Sequence, residues 1–234
     1  ARQVGKTWLV ENCLAKRFEN FIKIDLEKQP QFHAAFAGDL SPQKMLSVLE
    51  SHLGRIIPGK TLLFIDEIQG YPRAVTALRY FYEDMPNLHV VAAGSMLEFA
   101  FGEISVPVGR IEYLHIQPMT FYEYILAMGN EIIAERLLQD PKEHPDVIVD
   151  VIHNQLRDYF FVGGMPEAVA AYRDTQSRLE AYKVHSQIVS SYREDFAKYR
   201  PSVNYACLDG VFISTTRRIG QQINIPSFMN THPV

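Results

Sequence analysis

Apolar residues along this chain come first in short runs separated by helical stripes, and later in helical stripes alone. Asn20-Phe21-Ile22-Lys23-Ile24-Asp25-Leu26 alternates apolar and polar positions, which predicts a strand. Thr61-Leu62-Leu63-Phe64-Ile65-Asp66-Glu67 holds four apolar residues in a row, bounded by Pro58-Gly59 and Asp66, as in a strand buried on both faces of a parallel sheet. Leu88 to Ser95 predicts a third strand, and Arg110 to Gln117 alternates again as a fourth, closed by Pro118. Helices fall between them. Trp8 to Ala15 forms the first. Ser41 and Pro42 open the next as N-cap and first helical residue, Met45, Leu46, Leu49 and Leu53 line it, and Gly54 stops it. Ala74 to Met85 carries Leu78, Phe81 and Tyr82 on one side. This β–α alternation implies a parallel sheet with right-handed crossovers.

Beyond about Ile132 no strong strand pattern recurs. Thr120 and Glu123 form a capping box for a helix through Phe121-Tyr122-Glu123. Segments 131–139, 146–160, 166–173 and 177–197 read as helices, with Gly163-Gly164-Met165-Pro166 as a break and restart. Asp209 to Gly220 is a further helix, and Asn224 to Ser227 resembles the cap of another. The expected fold class is therefore α/β, a five-strand unit whose first strand would precede Ala1, with about a hundred helical residues appended. No internal repeat or low-complexity segment interrupts it.

Bulk properties narrow the picture. With 234 residues, 47% hydrophobic and 21% charged, the chain suits one large or two small globular domains. A net charge of -4 gives no electrostatic case for non-specific nucleic-acid binding. Two scattered cysteines, Cys13 and Cys207, make neither a disulfide framework nor a zinc site, and the eight histidines show no metal spacing. No run approaches the length of a membrane span, so no membrane partner is expected.

The candidate chemistry lies at the start. Ala1-Arg2-Gln3-Val4-Gly5-Lys6-Thr7 reads as a phosphate-binding loop, G-x-x-x-x-G-K-[ST], whose opening glycine would precede Ala1. Backbone N–H groups of Arg2, Gln3, Val4 and Gly5 would wrap an anion, with Trp8 beginning the helix whose N-terminus faces it. Lys6 would reach the β- and γ-phosphates of ATP, and the Thr7 hydroxyl would bind Mg²⁺. Asp66 and Glu67 end a buried strand, where open α/β sheets bind ligands. Asp66 would hold Mg²⁺ through water and Glu67 would polarise an attacking water. Asp25, also at a strand end, reads as a turn former, and Arg79 as a salt-bridge partner of Glu83. An ATP site makes the cytoplasm the expected compartment.

These residues together resemble the AAA+ class of P-loop ATPases. The resemblance is to stand-alone bacterial and archaeal AAA+ ATPases, and it rests on an ordered set. That set is Arg2-Gln3-Val4-Gly5-Lys6-Thr7, Ile65-Asp66-Glu67-Ile68-Gln69 with Pro72, Ala93-Gly94-Ser95, Gly109-Arg110 with Leu114, Pro118, Met119, Thr120, Phe121 and Glu123, and Gly163-Gly164-Met165-Pro166-Glu167. It implies a P-loop NTPase sheet flanked by helices (1–130), a helical lid (131–205) and the start of a winged helix (206–234), with Ile219 to Ile225 as its opening. A C-terminal domain of unsettled role would follow. Ser95 takes the place of the polar sensor, or else caps a helix over 96–101. Arg110 would reach a γ-phosphate in the same subunit or a neighbour, or else forms a surface ion pair. Glu123 and Glu167 read as helix first-turn residues.

The implied function is Mg²⁺-dependent ATP hydrolysis that drives or switches attached domains. The resemblance also allows a homo-oligomer, and a DNA or protein partner acting through the C-terminal part. Arg217-Arg218 would touch DNA phosphates if the winged helix forms. Two rivals stand beside this reading. One is a nucleotide-gated interaction or DNA-associated module with little turnover. The other is a P-loop small-molecule kinase, for which no acceptor motif occurs. No N-K-x-D run supports a GTPase.

Overall fold

A computed structural model describes residues 3–95, 109–140, 144–198 and 205–220. The chain divides into two compact units, Ala1–Met119 and Thr120–Val234.

The first unit is built on three parallel strands, β1 (Asn20–Asp25), β2 (Thr61–Asp66) and β3 (His89–Ala92), hydrogen-bonded in that order. Register pairs Lys23 with Phe64 and Asp25 with Asp66, so two carboxylates end adjacent strands at the same level. β2 is central and buried at every position, as its unbroken apolar run requires. Leu62, Leu63, Phe64 and Ile65 are each at most 1% exposed, and each contributes about 1.5–3 kcal/mol by burial.

Strand alternation sorts the side chains onto two faces. Ile22, Ile24, Leu63 and Ile65 pack with Met45 and Leu49 of α3 (Pro42–Leu53) and Val75 and Phe81 of α4 (Arg73–Asp84). A short helix α2 (Ala34–Ala37) adds Phe36 to that cluster. The opposite face, Leu62 and Phe64, packs with Val10, Phe21 and Leu14. Those last contacts belong to the segment after α1 (Lys6–Leu9), which continues as a π-helical turn (Val10–Leu14) and a 3₁₀ turn (Ala15–Arg17). One α-helix through Ala15 was the expectation. Val10 and Leu14, four residues apart and so on one face of the segment, both pack with the sheet.

The fourth expected strand is not formed. Gly109 and Arg110 lie in a turn and Ile111–Gln117 are irregular, so the described part of the sheet has three strands. Tyr113 and Leu114 are 45% and 81% exposed, so the alternation finds no covered face, and a strand without a ladder partner is not held.

The second unit is helical: α5 (Phe121–Ala127), α6 (Glu131–Arg136), α7 (Asp146–Val162), α8 (Pro166–Thr175), α9 (Arg178–Lys198) and α10 (Tyr205–Arg217). Its buried residues include Tyr124, Ile125, Val162, Ala168, Val169 and Ile188. Thr120 and Glu123 make the expected reciprocal cap on α5. Gly163 (φ 67°) ends α7, and Pro166 opens α8 at its first turn. The His185 ring bonds the Val162 carbonyl at 2.9 Å, satisfying a helix-end acceptor. Residues 96–101, expected to form a helix capped by Ser95, and 221–225 of the expected winged-helix opening (Ile219 to Ile225) lie outside the described residues.

Candidate functional site

The loop before α1 turns sharply. Gln3 and Gly5 have φ of 58° and 85°, a left-handed pair that glycine adopts without strain and glutamine does not. Val4 between them is 4% exposed and anchors the loop, while the Gly5 carbonyl accepts the Leu9 N–H at 2.9 Å and starts the helix. Lys6 and Thr7 are therefore the first two residues of α1.

Thr7 and Asp66 meet. The Thr7 hydroxyl donates to Asp66 Oδ2 at 2.9 Å, joining residues 59 positions apart. Asp66 is 5% exposed, and its other oxygen accepts the Glu67 N–H at 3.1 Å. Glu67 leaves the strand with φ 47° and ψ 48°, a strained left-handed conformation for a residue with a side chain. The turn is locked by the Ile68 N–H on the Ala93 carbonyl (3.0 Å), which ties it to the end of β3. Gln69 donates its amide to the Glu67 carboxylate. Gln69 Oε1 and the Ser95 hydroxyl are buried polar atoms without a hydrogen-bond partner among the described residues. Asp25, the other strand-end acid, is a turn former as expected: it accepts the N–H groups of Glu27 and Lys28 at 3.0 and 2.9 Å.

Lys23 joins this site and was not singled out from the sequence. Its ammonium lies 3.2 Å from Asp66 Oδ2 and 2.8 Å from Glu11 Oε1, with the Phe64 ring 5.7 Å away. Burial acts to lower its pKa, but the bonds to Glu11 and Asp66 outweigh burial and raise it above the ordinary lysine value. The signal was present in the alternation of β1: a lysine at the position between Phe21 and Asp25 must face the same side as they do. Gln69, part of the Ile65–Gln69 motif, takes its role only from its contact with Glu67.

Arg110 forms the surface ion pair that is the alternative to its reading as a γ-phosphate sensor. It donates to Glu83 of α4 at 2.9 Å, and Glu83 also accepts from Arg79 at 3.0 Å. The Arg79 bond, then that of Arg110, holds the Glu83 carboxyl below its ordinary range. Arg2 lies outside the described residues. Trp8 is 62% exposed beside Thr7.

A left-handed loop ahead of a helical Lys-Thr, facing a carboxylate at the end of a central parallel strand, is the arrangement of a P-loop NTPase. The sequence model of the AAA domain matches residues 1–125, over half of the chain, and the chain belongs to that family. Residues 153–231 match a second family described as a domain of unknown function. No curated protein matches the chain. Among solved structures, a Walker-type ATPase of Pyrococcus abyssi aligns with a TM-score of 0.52 and 16% identity, over 97% of this chain and 81% of that one. At that identity the likeness speaks to the fold. No helix among the described residues is long and apolar enough to cross a membrane.

Proposed function

We propose that this chain hydrolyses ATP, and that the resulting change in the nucleotide site drives or switches the segments attached to it. The contact that carries this reading is Thr7 to Asp66, because it brings the two halves of a phosphate–metal site to 2.9 Å. Lys6 binds the β- and γ-phosphates with the backbone of Arg2, Gln3, Val4 and Gly5, and Trp8 flanks them. Glu67 takes the water proton, and Gln69 positions its carboxylate. The buried Ser95 hydroxyl, without a partner among the described residues, bonds the γ-phosphate or the water. Arg110 reaches the nucleotide of its own or a neighbouring copy by leaving Glu83, an exposed pair of small energetic weight.

Mg²⁺ fits the donor set. Two hard oxygens, Thr7 Oγ1 and Asp66 Oδ2, are present together, and no cluster of three or more acidic, His or Cys ligands occurs among the described residues. Mg²⁺ is held in this way, by one or two protein oxygens plus phosphates and water, and when bound it offsets phosphate charge.

The same geometry supports a second reading, a nucleotide-gated switch with little turnover, because the Glu67 carboxylate is engaged by Gln69. Steady-state hydrolysis and nucleotide binding by the chain, with and without DNA, separate the two. Lys6→Ala is expected to weaken binding about tenfold or more by loss of a charge-assisted contact. Glu67→Gln is expected to keep binding and lower kcat by about 10²–10⁴-fold. A rate little changed in Glu67→Gln would remove the water-activating role. Tight binding with negligible turnover in the unaltered chain would make the switch the correct reading.

A further inference from the structure

One oxygen of the site has too many suitors. Asp66 Oδ2 accepts the Thr7 hydroxyl at 2.9 Å and also lies 3.2 Å from the Lys23 ammonium. A divalent ion held by Thr7 and, through water, by Asp66 would draw on the same carboxylate, and two cations sharing one carboxylate repel each other. Lys23 has somewhere to go. Glu11, on the π-helical turn after α1, is already 2.8 Å from it. The Asp66 side chain is 7% exposed and that of Lys23 29%, so the competition is sheltered from salt. The backbone fixes the arrangement, since Lys23 is in register with Phe64, two residues before Asp66 on the same face of the sheet.

We propose that Lys23 is a built-in competitor of Mg²⁺ for Asp66, with Glu11 as the partner that receives it, so that this lysine–glutamate pair sets the Mg²⁺ concentration at which nucleotide is bound. Lys23 is a positioning residue in this scheme: it acts on the nucleotide through Asp66. Its positive charge also favours polyphosphate where Mg²⁺ is scarce. The inference rests on the reading of Asp66 as the metal-binding carboxylate.

The two partners give opposite signs, as charges acting on Asp66 require and a loss of packing does not. Lys23→Met removes the competitor, so the Mg²⁺ concentration for half-maximal ADP binding should fall about three- to tenfold, the size of one charge–charge interaction at a partly sheltered site. Its ADP affinity in EDTA should fall as well. Glu11→Gln leaves Lys23 with Asp66 alone, so that midpoint should rise by about threefold. The measurement is a Mg²⁺ titration of the chain with a fluorescent ADP, cross-checked by emission of Trp8, the single tryptophan, which adjoins Thr7. Midpoints that stay put, or that move in the same direction in both variants, overturn the proposal while leaving ATP binding intact. If the unaltered chain binds no ADP with or without Mg²⁺, the ATP-site reading itself fails. Should Lys23→Met not fold, Glu11→Gln at its exposed site decides alone: a midpoint unchanged or lowered refutes the idea.

Discussion

Gly70 marks how tightly the exit from β2 is drawn against its neighbour. A Cβ built there would lie 3.0 Å from the carbonyl carbon and oxygen of Leu26 and 3.1 Å from the Glu27 nitrogen. All three are backbone atoms at the end of β1, pinned by the Leu26 N–H on the Asp66 carbonyl at 3.1 Å, so they cannot turn aside as a side chain tip does. The residue is thus glycine for space and not for a positive φ. Gly70→Ala is expected to destabilise the first unit by about 1–3 kcal/mol, an overpacking cost, as read by urea unfolding. It should also lower the rate of hydrolysis, because the displaced turn is the one that holds Glu67 and Gln69. A variant as stable as the parent would show that the strand end yields, and that the close approach is incidental.

At the scale of elements, what was legible depended on whether the signal was local. The capping box at Thr120 and Glu123, the proline start of α8 and the apolar run of β2 each specify their element within a few residues, and each is formed. The alternation of Ile111–Gln117 specifies only that one face would be apolar and names no partner strand, and that stretch is irregular. Lys23 was missed for the related reason that period-2 reading assigns a face but not the acid that waits there. The α5 cap carries its own prediction. The Thr120 backbone N–H, then its hydroxyl, hold the Glu123 carboxyl below 4.5. A carboxyl whose folded pKa is depressed stabilises the fold above its unfolded value, and that contribution is lost as pH falls through the folded value. Thr120→Ala is expected to cost about 1 kcal/mol near neutrality. The stability gap between the parent and Glu123→Gln should close as pH drops below 4.5. Thermal unfolding followed across that range checks both, and a gap independent of pH would mean that the carboxylate contributes nothing as a charge.

On the scale of the whole molecule, the sequence motifs of the site gather in the first unit while the helices of the second have cores of their own, Tyr124 with Tyr159 at 5.3 Å between ring centroids among them. A ligand stabilises only what binds it, by about 2.7 kcal/mol at a hundredfold excess over Kd. Bound ADP should therefore slow hydrogen exchange around Val4–Leu9 and Asp66–Gln69, the segments proposed to hold the phosphates, the metal and the water. A protein that converts its nucleotide state into motion must show more than this, because a conformational change requires different interactions in its two states. Glu67→Gln, which should hold ATP without splitting it, provides the comparison. If ATP drives the attached segments, exchange in α7 to α9 should differ between the ADP complex of the parent and the ATP complex of this variant. A difference confined to the nucleotide loop and the end of β2 would mean that ATP is bound and read locally, and that the helical unit is not the part it moves.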